Sequence, residues 1–182
     1  MKIKPIILVA GEPKSIFFEI FFKALKKNNY KSPLILVCCK KLLLRRMKEH
    51  KFKKKIKILE INELKKINLN NKFINVIDIR LKKSSNKKNQ DEVIKKYINN
   101  LFNTAFQLIK DGFTKKFING PINKKTFLNK KFLGVTEFIS KNFEIKKTGM
   151  IIYNKKLSVC PVTTHLPIKL VSKKITKKLI EE

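Results

Sequence analysis

Pro5-Ile6-Ile7-Leu8-Val9-Ala10-Gly11-Glu12-Pro13 is the stretch on which the fold class turns. Its first six residues are apolar in succession, without the alternation of a half-exposed strand. Such a run marks a strand buried on both faces, and Gly-Glu-Pro then breaks it into a loop. Directly after the loop, Ile16, Phe17, Ile20, Phe21 and Leu25 recur at helical spacing, which predicts a helix over 16–27 capped by Ser15. A second buried run follows at 33–38. Strand, loop, helix and strand in that order is the opening of an α/β unit.

The same alternation continues along the chain. A basic helix is expected over 40–51 and strands over 56–60 and 73–79. Residues 84–89 are polar and lysine-rich, and a mobile loop is expected there. Residues 91–111 carry Val93, Ile94, Tyr97, Ile98, Leu101, Phe102, Ala105, Leu108 and Ile109 at helical spacing, with Gly112 at the natural stop. A short strand over 116–119 runs into Gly120-Pro121. Residues 150–153 and 157–162 alternate about Asn154-Lys155 and read as a hairpin, and Ser172 or Thr176 opens a last helix. No internal repeat is present. These elements predict one α/β unit over 1–182, a mixed sheet flanked by helices.

The 182 residues include 44 basic and 13 acidic side chains, a formal charge of +31. A nucleic-acid binder can show such a charge. Yet only Arg45, Arg46 and Arg80 are arginines, and arginine is the side chain that grips phosphate and base edges bidentately. Lysine is spread through every segment alongside Ile, Asn and Phe, all encoded by A/T-rich codons. The charge therefore reads mainly as composition acting on a solvated surface, with non-specific polyanion binding at low salt. Residues 41–57 hold nine basic residues but one aromatic, Phe52, so a base-stacking platform is absent. His50, within that run, reads as a solvated helix-face residue.

Cys38, Cys39 and Cys160 form no C-x-x-C pair, and this odd, scattered set fits a reducing cytoplasm. The apolar run at the start is too short for a secretory signal, and no run reaches membrane-span length. Only His50 and His165 are histidines, so no three-histidine site comes from this chain alone.

Three segments share one design, an apolar strand ending in a tight polar turn: Gly11-Glu12-Pro13, Asn119-Gly120-Pro121-Ile122-Asn123-Lys124 and Thr163-Thr164-His165-Leu166-Pro167. Ligands of open α/β sheets bind just beyond the carboxyl ends of strands. Glycine there admits close backbone approach, free N–H groups at a helix start favour anions, and Lys124 adds a point charge. Ordinary turn chemistry accounts for the same residues. His165 suits either a divalent metal or a proton shuttle, or simply satisfies backbone groups. Thr136, in Gly134-Val135-Thr136-Glu137, suits a helix cap or a phosphate contact. Neither G-x-x-x-x-G-K-[ST] nor G-x-G-x-x-G is present.

In this order the segments resemble the 4-hydroxythreonine-4-phosphate dehydrogenase family of pyridoxal phosphate biosynthesis. Gly11-Glu12-Pro13-Lys14-Ser15-Ile16-Phe17-Phe18-Glu19-Ile20 is similar to the family's G-E-P-x-x-I-x-x-E-I opening. Ile118-Asn119-Gly120-Pro121-Ile122-Asn123-Lys124 is similar to its T-G-P-I-N-K turn. Gly134-Val135-Thr136-Glu137-Phe138 is similar to G-H-T-E-F, and Val162-Thr163-Thr164-His165-Leu166-Pro167-Ile168 to T-T-H-[IL]-P-L. The resemblance covers the whole chain but only the amino-terminal half of the family's length.

The resemblance implies a fold like isocitrate and isopropylmalate dehydrogenases, here truncated, and a homodimer when intact. It implies NAD(P)-dependent oxidation and decarboxylation of 4-phosphooxy-threonine, with a divalent ion (Zn, Mg or Co) polarising the oxygen. His165 matches a metal-binding histidine and Thr136 a substrate-binding threonine, and Gly120, Asn123 and Lys124 are the expected substrate-phosphate contacts. Two departures stand out. Val135 replaces the histidine of G-H-T-E, and Lys14, Phe17 and Phe18 replace small residues of the opening. A shortened dehydrogenase, weak or inactive alone, is the leading expectation. A non-catalytic phosphate-binding remnant and a basic nucleic-acid-associated protein are the others.

Overall fold

The computed structural model describes residues 3–82, 89–128, 132, 134–146, 148–164 and 166–181. The chain divides into two compact units, 1–127 and 128–182.

The first unit is built from β1 (Ile6–Val9), α1 (Phe17–Lys27), β2 (Leu34–Cys38), α2 (Lys40–Glu49), β3 (Ile56–Ile58), a 3-10 turn at Ile61–Glu63, β4 (Ile74–Asp78), α3 (Gln90–Lys110), β5 (Lys116–Asn119) and α4 (Lys124–Phe127). The five strands form one sheet in the order β3-β4-β2-β1-β5, every pair parallel. Ile7, Val9, Ile35, Val37 and Val76 have no exposed surface, as central strands covered on both faces require.

Two aromatic helices supply the covers. Phe17, Phe18, Phe21 and Phe22 form the buried stripe of α1, and Phe22 stacks on Phe52 with centroids 4.6 Å apart. On α3, Tyr97, Ile98, Leu101, Phe102, Ala105, Phe106 and Leu108 are buried, and Phe102 and Phe106 contact Phe117 of β5. Gly112, with φ of 71°, ends α3 in the left-handed conformation that the sequence expectation required. Buried Thr114 then donates to Pro5 O at 2.6 Å and accepts from Lys116 N at 3.1 Å. That pair of bonds fixes the start of β5 beside the start of β1.

The order of connections places the crevice. From β1 the chain moves to β2 on one side, and α3 later carries it back across to β5 on the other. The connections therefore diverge between β1 and β5, and ligands of doubly wound sheets bind at the carboxyl ends of such strands.

The second unit contains α5 (Val135–Asn142), β6 (Ile152–Tyr153), β7 (Ser158–Val159), α6 (Ile168–Lys174) and α7 (Lys177–Glu181). β6 and β7 pair antiparallel, as the expected hairpin does. Both strand orientations are thus present, but in separate sheets: the main sheet is wholly parallel rather than mixed. The expected last helix is two short ones. Thr176 opens α7, its Oγ1 accepting from Leu179 N at 3.2 Å, whereas Ser172 lies inside α6. Residues 84–88 of the expected loop lie outside the described residues. No helix among the described residues is long and apolar enough to cross a membrane.

Candidate functional site

The two loops at the ends of β1 and β5 are built against each other. Gly11 has φ of 73°, a left-handed conformation that side-chain-bearing residues rarely adopt. A Cβ there would collide with Pro121 O, and a Cβ at Gly120 with Ala10 O and the Phe17 ring. Both glycines therefore answer to a close approach of backbone to backbone. Hydrogen bonds complete the contact: Gly120 N donates to Val9 O at 2.7 Å, and Glu12 N donates to Pro121 O at 2.9 Å.

Two side chains hold the carbonyl groups of Glu12 and Pro13 from outside. Ser15 Oγ donates to Glu12 O at 2.8 Å and accepts from Phe17 N, at the start of α1, at 3.4 Å, while the N-cap residue itself is Ile16. Arg46 Nη2 reaches from α2 to Pro13 O at 3.1 Å, while Nη1 pairs with Glu49 at 2.8 Å. The sequence carried one signal for Arg46, its rarity as one of three arginines.

The structure also shows what occupies the helix starts around the crevice. Glu12 Oε1 accepts from Asn123 N, the residue before α4, at 3.2 Å. Asp78 Oδ1, at the end of β4, accepts from Lys40 N at the start of α2 at 2.7 Å. Carboxylates are favoured at such positions. Glu12 thus sets a carboxylate on the amide that precedes α4.

Behind β2, Cys39 N donates to the Tyr97 hydroxyl at 2.9 Å in a buried setting. Burial pushes the Tyr97 hydroxyl far above the ordinary phenol range and lifts the Cys38 thiol well above its usual value. Cys38 and Cys39 are buried, Cys160 is exposed, and all three are free thiols.

Of the sequence candidates, Gly120, Asn123 and Lys124 join the Gly11 loop in the first unit. Thr136 belongs to the second unit, where it is exposed in the first turn of α5 and its carbonyl accepts from Ser140 Oγ at 2.8 Å. Gly134 is the N-cap there, and a Cβ on it would lie 2.9 Å from Glu137 Oε2. The glycine thus leaves room for a carboxylate over the helix start. Thr163, Thr164 and Leu166 are described, but His165 lies outside the described residues. His50 is exposed, as expected, with its ring edge-on to Phe22 at 5.7 Å.

Residues 29–182 match the family model described as pyridoxal phosphate biosynthetic protein PdxA. The chain belongs to this family. The 4-hydroxythreonine-4-phosphate dehydrogenase of Wigglesworthia glossinidia brevipalpis is 27% identical over 184 residues, covering 100% of this chain and 54% of that protein. The protein of the same name from Sulfurihydrogenibium sp. is 30% identical over 183 residues, covering 95% and 53% respectively. The crystal structure of the 4-hydroxythreonine-4-phosphate dehydrogenase from Burkholderia phymatum superposes with a TM-score of 0.80 at 20% identity, over 98% of this chain and 55% of that one. That likeness shows the fold, an α/β arrangement with a parallel sheet flanked by helices. The chain spans about half the length of the PdxA relatives it matches.

Among the described residues no three His, Cys, Asp or Glu side chains come together as ligands. The described part of this PdxA chain does not by itself fit a metal centre.

Proposed function

We propose that this chain supplies the phosphate-recognising half of a dehydrogenase that oxidises 4-phosphooxy-threonine with NAD(P), after which the keto acid loses carbon dioxide. The carrying observation is the pair of interlocked loops at the β1–β5 divergence, in a chain of the PdxA family. Within the first unit, Gly120 lets the two loops pack against each other, and Asn123 N–H and the Lys124 ammonium meet the phosphate. Thr136, in the second unit, is a substrate contact by its match to the family motif. Glu12 must swing away from Asn123 as phosphate arrives. His165 contributes one ligand to a divalent ion, and the other ligands and most NAD(P) contacts come from residues outside this chain.

On this reading the chain alone does not turn over. The assembled enzyme is a cytoplasmic homodimer, and the second unit supports that assembly. Ile151, Tyr153, Leu157 and Ile168 are 68%, 76%, 69% and 91% exposed, more apolar surface than a finished face leaves in water.

Calorimetric titration with 4-phosphooxy-threonine tests the reading. Lys124→Ala is expected to weaken binding by about tenfold, the scale of one charge-assisted contact of about 1.4 kcal/mol. Thr136→Ala is expected to weaken it less. Binding that is not saturable, or that Lys124→Ala leaves unchanged, would reject it.

A further inference from the structure

The amino ends of the strands, opposite the crevice, enclose a hollow of their own. A cavity of about 510 Å³ lies between Pro5 before β1, Pro33 before β2, Phe113 before β5 and the 64–69 segment that leads toward β4. All of these residues belong to the first unit. At about 3.3 Å per residue of extended chain, Pro5 lies roughly 16 Å from Ala10 beside the crevice. The volume is that of a small-molecule site.

Hydrogen bonds fix the frame of this cavity. Asn71 Nδ2 donates to Tyr30 O at 2.8 Å and to Ser32 O at 2.9 Å, and its Oδ1 accepts from Leu34 N at 2.8 Å. Buried Asn75 donates to Leu34 O at 3.0 Å and to Asn70 O at 2.8 Å. The stretch before β2 is thus laced to the stretch before β4. The bond from Thr114 to Pro5 O holds Phe113 near the start of β1 in the same way. A hollow framed like this is formed before any ligand arrives, so little ordering opposes binding.

The lining has two chemical parts. Pro5, Pro33 and Leu64 are buried, and Leu69 and Phe113 are half-buried, so the inner surface is apolar. The two prolines bring no N–H to it. Lys4, Lys31 and Lys65 also line the cavity and are exposed, their stems on the wall and their ammoniums in water at the mouth. Among the described residues no acidic side chain lines the cavity, and none of the three lysines forms an ion pair. Inorganic phosphate would leave the apolar interior unfilled, and a neutral hydrocarbon would leave the three ammoniums without a counter-charge.

We propose that this cavity binds a small organic anion, with an apolar body among Pro33, Leu64 and Phe113 and a carboxylate head at Lys4, Lys31 and Lys65. The site is separate from the crevice and does not depend on the dehydrogenase reading.

The test is calorimetric titration of the full chain with octanoate, against octanol (the same chain without the charge) and acetate (the charge without the chain). Saturable octanoate binding is expected, with octanol and acetate at least tenfold weaker. Hydrogen exchange is expected to slow in peptides spanning 64–69 and 112–113. Lys31→Glu combined with Lys65→Glu is expected to weaken octanoate at least tenfold, and the exposed Lys155→Glu control to leave it unchanged. 4-Phosphooxy-threonine, which lacks the apolar body, is expected not to displace it. Octanoate binding that does not saturate, that octanol equals, or that leaves both peptides unprotected overturns the proposal. So does equal weakening by the double variant and the control, which would reduce the effect to general charge. Displacement by 4-phosphooxy-threonine would put octanoate in the crevice and also overturn it. Loss of octanoate binding when the remaining half of a relative is added would make the cavity a polypeptide interface instead.

Discussion

Replacing Gly11 by alanine isolates the contact between the two loops, because Gly112 provides a matched control. Both glycines have left-handed φ values, 73° and 71°. A Cβ on Gly112 meets nothing within 4 Å, whereas one on Gly11 runs into the backbone oxygen of Pro121, which has no free rotation to escape. The left-handed conformation costs an alanine roughly 1–2 kcal/mol in either place. Overpacking against backbone adds about 1–3 kcal/mol at Gly11 alone. Lower entropy of the unfolded chain returns about 0.4–1 kcal/mol to each variant. The expected net losses are about 1 kcal/mol for Gly112→Ala and about 3 kcal/mol for Gly11→Ala. For a chain of this size those losses correspond to Tm decreases of roughly 2–4 °C and 6–12 °C. Urea unfolding followed by circular dichroism measures both variants on one scale. Equal losses, or a milder loss at Gly11, would refute the interlocking of the loops and the crevice built on it.

Glu12→Gln removes the anion held at Asn123, and inorganic phosphate is expected to bind about fivefold tighter, equivalent to about 1 kcal/mol, in an isothermal titration. A weaker or unchanged affinity would show that Glu12 does not compete there. Tyr97→Phe strands the buried Cys39 N–H and should cost about 1–3 kcal/mol in urea unfolding, against less than about 1 kcal/mol for an exposed Tyr30→Phe control. The raised Cys38 and Tyr97 values mean that the unfolded chain ionises first. Stability is expected to be fully present below the unfolded thiol value of about 8.5 and to fall as pH rises beyond it. Melting curves at stepped alkaline pH check the sign. With a thiol reagent at neutral pH, one cysteine, Cys160, should react at once and the other two only on unfolding.

Much of the first unit was legible because its signals are local. The unbroken apolar run at β1, the helical spacing through Phe102 and the stop at Gly112 each depend on neighbours within a few residues. Gly11 and Gly120 were legible as turn glycines, but their mutual contact was not, since it joins residues more than a hundred apart. Glu12 on Asn123 and Arg46 on Pro13 were hidden for the same reason: nothing local says where a long polar side chain will end. The hairpin about Asn154-Lys155 was legible, but not that it forms a two-stranded sheet of its own while the five-stranded sheet is wholly parallel. Ser15 reads as a cap by position, and its hydroxyl both accepts from Phe17 N and donates to the Glu12 carbonyl. The second unit was least legible. Ile151, Leu157 and Ile168 look like core residues in sequence, and the structure leaves them exposed.

The most direct test of the central claim measures NADH formation from 4-phosphooxy-threonine and NAD with a divalent ion present. The chain is assayed alone and together with the remaining half of a relative. The account predicts no turnover by the chain alone, turnover in the assembled pair, and its loss on His165→Ala. Turnover by the chain alone, or an assembled pair indifferent to His165→Ala, would contradict it.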